Sequence, residues 1–193
     1  MTISKLPEEY FQFDIQIVET DKLSNDEIDL FVQFHEAARQ KTGDNLKPVT
    51  HQDIKQADFV AIAKDAETGT IKGQCLLVKG DNDKADKLVN YPQDAKKSDA
   101  IIITSLSGKR AIPDMLAEIS TFSVNSGLSE LFAKTRASND LAHTLFTRNG
   151  FTARGPETMG NDDYQSYLYK KELTQSESPV KLLEAGAAHA API

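Results

Sequence analysis

The chain has 193 residues, of which 39% are hydrophobic and 26% charged, a composition that suits one globular domain with a single core. The formal net charge of -7 argues against nucleic acid as a partner, because an acidic surface repels phosphate backbones, and it favours cationic partners such as amines. No apolar run reaches the length of a membrane span, and the four histidines and one cysteine show no metal-ligand spacing. We therefore expect no membrane insertion, no bound metal and no internal disulfide.

The first third of the chain predicts a strand followed by two helices. Residues 13–18 alternate apolar and polar side chains, as a half-buried strand does. Ser24 and Glu27 have the spacing of a capping box, which predicts a helix that ends near Gln40, and a short helix is expected after Thr50. The first residues lack the apolar core of a signal peptide, so the expected location is the cytoplasm.

The middle of the chain predicts three strands and one charged segment. Residues 59–64 and 71–79 are rich in Val, Ile and Leu, and Gly69 lies in the turn between them. Residues 80–99 are dense in Asp and Lys, which predicts a solvated surface insertion. Residues 100–106 are almost continuously apolar, which predicts a central strand that is buried on both faces.

The second half of the chain predicts two helices, three strands and a tail. The helices and strands are expected at about residues 112–124, 128–135, 138–148, 151–154 and 164–171. The polar and then Ala-rich residues 174–193 are expected to form a flexible tail. The element order β-α-α-β-β-β-α-β-α-β-β predicts one mixed α/β domain over residues 1–173. Its central mixed sheet is expected to have about six to seven strands, with helices on both faces.

A candidate phosphate site follows the predicted central strand. Gly108, Lys109 and Arg110 come directly before a helix, and a helix N-terminus presents unpaired N–H groups and a positive dipole. This combination is suited to a pyrophosphate. The same residues fit an ordinary strand-to-helix turn with two solvated cations equally well.

The helix after residue 138 carries a second pattern, Asn-x-x-Ala-x-x-Leu-Phe-x-x-x-Gly-Phe, from Asn139 to Phe151. From spacing alone, Asn139 is a helix cap. The pattern nevertheless resembles the last conserved motif of the GNAT N-acetyltransferase superfamily. The order of strands and helices is similar to that fold as well, and residues 108–113 fall where the family has its coenzyme A loop.

The resemblance implies a cofactor, a reaction and a set of cofactor-binding residues. Acetyl-CoA would bind between the splayed fourth and fifth strands, and a primary amine of a small molecule or peptide would attack the thioester directly in a ternary complex. A backbone N–H of the fourth strand would stabilise the oxyanion. The implied cofactor-binding residues are Ser105, Leu106, Gly108, Lys109, Arg110, Ala111, Ile112, Pro113, Asn139 and Phe146.

The sequence departs from the family pattern at three positions. Ala111 adds a methyl group where the family's backbone approaches phosphate, and Pro113 removes one N–H donor. Phe146 stands where many family members have a tyrosine that protonates the leaving thiolate. These departures leave open an alternative, a catalytically degenerate GNAT-fold binding protein.

The remaining catalytic roles stay unassigned. His35, Glu36, Tyr91, Asp99 and Glu118 are possible general bases, with His35 on a helix whose family counterpart often borders the acceptor cleft. Ser107, Thr144, Thr147 or water could replace the missing tyrosine as proton donor. The two final strands could also support a homodimer through edge pairing.

Overall fold

The computed structural model describes residues 12–42, 47–89, 91–92, 94–108, 110–157 and 165–174. These residues contain a seven-stranded sheet and five α-helices. The strands are β1 (Phe13–Glu19), β2 (Phe59–Asp65), β3 (Ile71–Lys79), β4 (Ala100–Gly108), β5 (Glu130–Arg136), β6 (Thr152–Glu157) and β7 (Ser166–Glu172). The helices are α1 (Asn25–Thr42), α2 (His51–Gln56), α3 (Ala85–Leu88), α4 (Ile112–Asn125) and α5 (Asp140–Arg148). The mixed α/β fold and the predicted element order are confirmed, with α3 as an addition.

The sheet is mixed, with the strand order β1-β2-β3-β4-β5-β7-β6. Every neighbouring pair is antiparallel except β4 and β5, which run parallel. The parallel pair is joined through α4, because parallel neighbours need a long crossover connection. This crossover places the start of α4 beside the C-terminal end of β4.

Helices cover both faces of the sheet, and strand alternation divides the core accordingly. Ile101 and Ile103 point to the face that α4 and α5 cover, which we call the α4 face. Ile102 points to the opposite face, which α1, α2 and α3 cover and which we call the α1 face. Because β4 is buried on both faces, its sequence is an almost uninterrupted apolar run.

The two N-terminal helices begin at capping boxes, as their sequences indicate. Ser24 donates its backbone N–H to Glu27 Oε2 at 2.9 Å, and Glu27 donates its backbone N–H to Ser24 Oγ at 3.3 Å. Thr50 and Asp53 form the same reciprocal pair at the start of α2. These bonds satisfy N–H groups that have no partner within the helix and so fix where each helix begins.

The prediction of a solvated insertion over residues 80–99 is wrong for its apolar residues. Ala85 and Val89 are buried in the core of the α1 face, and the Tyr91 ring packs edge-on against Phe132 with centroids 5.3 Å apart. The charged side chains of this segment hide the two apolar positions in the sequence: Ala85 begins α3, and Val89 follows its last residue. Part of the segment therefore packs on the domain and lies near β4.

Two further features of the domain are the character of its helices and the position of its cysteine. Over the described ranges, no helix is both long and apolar enough to cross a membrane. Cys75 is buried on β3, and burial raises the pKa of its thiol to about 12, which suits a packing residue rather than a nucleophile.

Candidate functional site

The central feature of the sheet is a gap between β4 and β5. The two strands pair only from Ala100 with Glu130 to Ile103 with Ala133. Beyond that point β4 continues beside β3 as far as Gly108, while β5 continues beside β7 as far as Arg136. The neighbouring backbone edges of both strands are therefore open to a ligand.

A β-bulge in β4 accompanies the separation. The register places Thr104 opposite Leu76 and Ser107 opposite Gln74, so two β4 residues, Ser105 and Leu106, stand opposite Cys75 alone. Ser105 has a φ of 53°, which is rare for a residue with a side chain. Bulges bend a strand and increase its twist. The bulge explains why β4 turns away from β5 directly after Ile103.

The gap opens into a cleft of about 1170 Å³ that passes through the sheet. Both Ile102 and Ile103, which point to opposite faces, line it. On the α4 face the cleft is bounded by the start of α4 and by α5. On the α1 face it is bounded by the second half of α1 and by α3.

The turn from β4 into α4 requires a glycine at its first position. Gly108 has a φ of 124°, and a Cβ there would lie 2.7 Å from both Gly73 Cα and the Lys72 carbonyl oxygen. Ser107 and Gly108 belong to β4, so the connection is shorter than the expected loop of residues 107–110. Lys109 lies outside the described residues. The close approach of two backbones leaves no room for a side chain at Gly108.

The N-terminus of α4 lies at this turn and has no side-chain cap. Ala111 occupies the cap position without a side-chain hydrogen bond, and the helical ladder begins with Met115 N–H donating to the Ala111 carbonyl at 2.9 Å. Pro113 is the second residue of α4 and lacks an N–H group. Ile112 and Asp114 retain theirs, at the positive end of a 14-residue helix. The turn is therefore suited to an anion.

The methyl group of Ala111 packs into the core beside this turn. Ala111 is fully buried in the core of the α4 face. A Cβ placed on Gly73 would lie 3.2 Å from the Ala111 methyl group, so this methyl packs toward β3. Whether Ala111 hinders the approach of a phosphate stays a prediction.

The residues of α5 combine structural and cleft-lining roles. Asn139 accepts a hydrogen bond from Ala142 N–H at 3.2 Å and also lines the cleft, so the two sequence interpretations of this residue are compatible. Phe146 lines the cleft as well, although most of its ring is buried against Phe151 and Tyr169 at centroid distances of 5.3 Å. This ring has no proton to donate.

Two of the catalytic candidates lie in different environments. Ser107 lines the cleft, but its side chain is buried and donates to the Gln74 carbonyl at 3.4 Å. His35 does not line the cleft and is only 1% exposed. Its Nε2 lies 2.8 Å from the Lys47 carbonyl oxygen, so this side chain ties the start of the 47–50 segment to α1. Burial separates the imidazole from an acceptor in the cleft.

Burial also lowers the pKa of His35 below its ordinary value, which predicts a stability effect. In the unfolded chain the imidazole titrates near pH ~6.5, whereas in the folded protein it stays neutral to a lower pH. Because protons then bind preferentially to the unfolded chain, the free energy of unfolding should decrease as the pH drops below that value. In His35→Gln this part of the pH dependence should disappear, as measured by urea unfolding between pH 5 and pH 8. The exposed His51→Gln variant is the control, and an unchanged pH slope in His35→Gln would contradict the assignment.

Among the described residues, the charged side chains that line the cleft are all basic, although the chain contains 29 acidic and 22 basic residues. The net charge favoured a cationic ligand, whereas the basic lining of the cleft favours an anionic one. Lys72 and Arg110 lie by the α4 turn, Lys41, Lys47 and Lys87 come from the α1 side, and Lys134 and Arg136 come from β5. Sequence reasoning missed all of these except Arg110, because no local pattern links them.

The described lining also contains no Asp, Glu, His or Tyr. A conventional general base is therefore absent from this part of the wall. Across the described ranges, no group of three or more His, Cys, Asp or Glu side chains is arranged to hold a metal ion.

No protein-family profile matches the sequence, and no curated protein matches it significantly in a sequence search. Solved structures do match. A GNAT-family acetyltransferase from Listeria monocytogenes is 16% identical, with a TM-score of 0.62, over 83% of this chain and 95% of that one. Aminoglycoside acetyltransferase AAC(6')-Ib, solved with coenzyme A and kanamycin, is 11% identical, with a TM-score of 0.60, over 86% and 96%.

A third match is NAA60 of Arabidopsis thaliana in complex with acetyl-CoA, at 13% identity and a TM-score of 0.57, over 83% of this chain and all of that one. These structures share the mixed sheet with its flanking helices. The protein has the GNAT fold.

Proposed function

We propose that the protein is an N-acetyltransferase that transfers the acetyl group of acetyl-CoA to a primary amine by direct attack in a ternary complex. The observation that carries this proposal is the cleft through the sheet at the gap between β4 and β5, beside the uncapped start of α4. Two of the structurally similar proteins were solved with coenzyme A or acetyl-CoA bound.

The residues of the α4 turn fit the coenzyme. The N–H groups of Ile112 and Asp114, the Arg110 side chain and the close backbone at Gly108 would hold the pyrophosphate. The open edges of β4 near Ser105 and Leu106 would pair with the pantetheine, with Asn139 and Phe146 along the α5 side. When bound, acetyl-CoA supplies the acetyl group as an activated thioester.

The positive wall of the cleft supports the chemistry without a conventional base. A cationic surrounding lowers the pKa of an acceptor ammonium group, because it disfavours the charged form, and the released proton passes to water. The neutral nitrogen would then form the amide bond as the thioester C–S bond breaks. The electron pair of that bond would stay on sulfur, and the nitrogen would lose its second proton to the thiolate, directly or through water. The same cations stabilise the negative charge that develops on oxygen and sulfur.

Arg110→Glu tests the placement of the coenzyme. Wild-type protein should bind acetyl-CoA with a micromolar dissociation constant in a calorimetric titration, and the variant should bind at least about tenfold more weakly because its charge opposes the phosphates. Arg154→Glu, an equal change at an exposed β6 residue outside the cleft lining, should leave the affinity unchanged. Equal affinity in wild type and Arg110→Glu would place the coenzyme elsewhere.

The absence of a tyrosine, histidine or carboxylate from the described lining favours one other function, a coenzyme-binding or partner-binding protein that no longer catalyses transfer. Thiol release from acetyl-CoA with a panel of amines separates the two. Release that depends on the amine supports the transferase. Tight binding of acetyl-CoA with no release for any amine supports the binding protein.

A further inference from the structure

The two mouths of the cleft lie on opposite faces of the sheet. Ala111, Ile112 and Phe146 belong to the core of the α4 face, so the proposed coenzyme site opens on that face. Val89 belongs to the core of the α1 face and lines the other mouth. A molecule that meets the acetyl group from the side away from the coenzyme enters between α1 and α3.

This second mouth is cationic. Lys41 in the last turn of α1, Lys47 after it and Lys87 in α3 all line the cleft. Along β5, Phe132 points to the α1 face, so alternation places Lys134 on the same face. No acidic side chain of the described lining accompanies them.

Two described acidic residues near Lys41 and Lys87 in the sequence are paired with other cations, and Asp44, between Lys41 and Lys47, lies outside the described residues. Glu36 accepts two hydrogen bonds from Arg39, at 2.8 Å and 2.9 Å, and the guanidinium lowers the pKa of its carboxyl group. Asp86 is paired with Lys97. Neither Glu36 nor Asp86 lines the cleft, so neither offsets the charge at this mouth.

Apolar residues complete the same wall. Phe34, Ala37 and Ala38 of α1 line the cleft, and so do Leu88 and Val89. Such a wall suits the short carbon skeleton of a small molecule. A cationic amine with no anionic group would meet only repulsion from the lysines, which makes it a poor ligand for this mouth.

On the basis of the proposed transferase function, we propose that the acceptor is a small primary amine that also carries a carboxylate or phosphate group, and that Lys41, Lys47 and Lys87 bind this anionic group. The amine is then held toward the gap between β4 and β5. The cations that bind the anion also favour the uncharged form of the amine.

The test uses matched pairs of compounds that differ in one anionic group. O-phosphoserine with serine tests phosphate, and glutamate with glutamine tests carboxylate. Each is titrated into the full chain saturated with coenzyme A, and each is assayed for acetyl transfer from acetyl-CoA. At least one anionic member should bind about tenfold more tightly than its partner, with an affinity that falls as salt is added.

The test variant carries both Lys41→Gln and Lys87→Gln. The control is Lys55→Gln, at an exposed site on α2 outside the cleft lining. The double variant should lose about tenfold in affinity for the anionic compound while it keeps its affinity for acetyl-CoA, and the control should match wild type.

Three results would overturn the inference: tighter binding of the neutral members, no binding of either anionic compound, or an equal loss of acetyl-CoA affinity in the double variant. The last result would assign these lysines to the coenzyme. Binding of the anionic compound without transfer would support anion binding by these lysines and contradict the transferase function. Transfer to neutral amines alone would support the transferase function and contradict anion binding by these lysines.

Discussion

Gly108→Ala should lower the affinity for acetyl-CoA by at least about tenfold and reduce the free energy of unfolding by about 3 kcal/mol. The φ of 124° at Gly108 is strained for any residue with a side chain. In addition, the new methyl group would lie 2.7 Å from the backbone of β3, at Gly73 Cα and the Lys72 carbonyl oxygen. Because backbone cannot move aside as a flexible side chain can, the β4 end and the α4 turn must shift. Calorimetric titration and urea unfolding measure the two effects.

Gly155→Ala is the matched control for Gly108→Ala. Gly155 has a similar φ of 106°, but a Cβ there would meet nothing within 4 Å. This variant should show the conformational strain alone, about 1 kcal/mol, with unchanged affinity for acetyl-CoA. Equal effects of the two substitutions on coenzyme affinity would show that the close approach of β4 and β3 is unimportant for binding.

Lys170→Met should destabilise the protein by about 3 kcal/mol and lower its melting temperature by about 8 °C. Lys170 lies on β7 with only 4% of its side chain exposed, and its Nζ is 2.7 Å from Oε1 of Glu130, whose side chain is 10% exposed. Glu130 holds the pKa of Lys170 above its ordinary value. Removal of the ammonium group leaves a buried carboxylate at the start of β5 without its cation. Thermal unfolding monitored by circular dichroism measures the loss.

The exposed pair of Lys22 and Glu19 is the comparison for this buried pair. Its two side chains are 66% and 49% exposed at a separation of 2.6 Å, so Lys22→Met should leave the melting temperature almost unchanged. Combining Lys170→Met with Glu130→Leu should recover part of the stability, since no unpaired charge then stays buried. Equal losses at Lys170 and Lys22 would mean that water reaches the Glu130 carboxylate.

The sequence by itself determined the elements and their order, because each follows from a local pattern. The alternation after Phe13, the capping box at Ser24 and the apolar run of residues 100–106 each reports on side chains within a few residues of one another. The cap at Asn139 followed from the same kind of pattern. The likeness of these elements to the GNAT fold also pointed to the turn after β4.

Only the tertiary structure decided the character of the site. The bulge at Ser105, the orientation of the Ala111 methyl toward β3 and the burial of His35 depend on neighbours far away in the chain. The cationic mouth brings together residues that no local pattern connects: Lys41, Lys87 and Lys134. A local pattern records which side of an element is buried, whereas the charge of a cleft depends on which distant elements share it. An acidic chain can therefore enclose a positive cleft, and its net charge gives no sign of it.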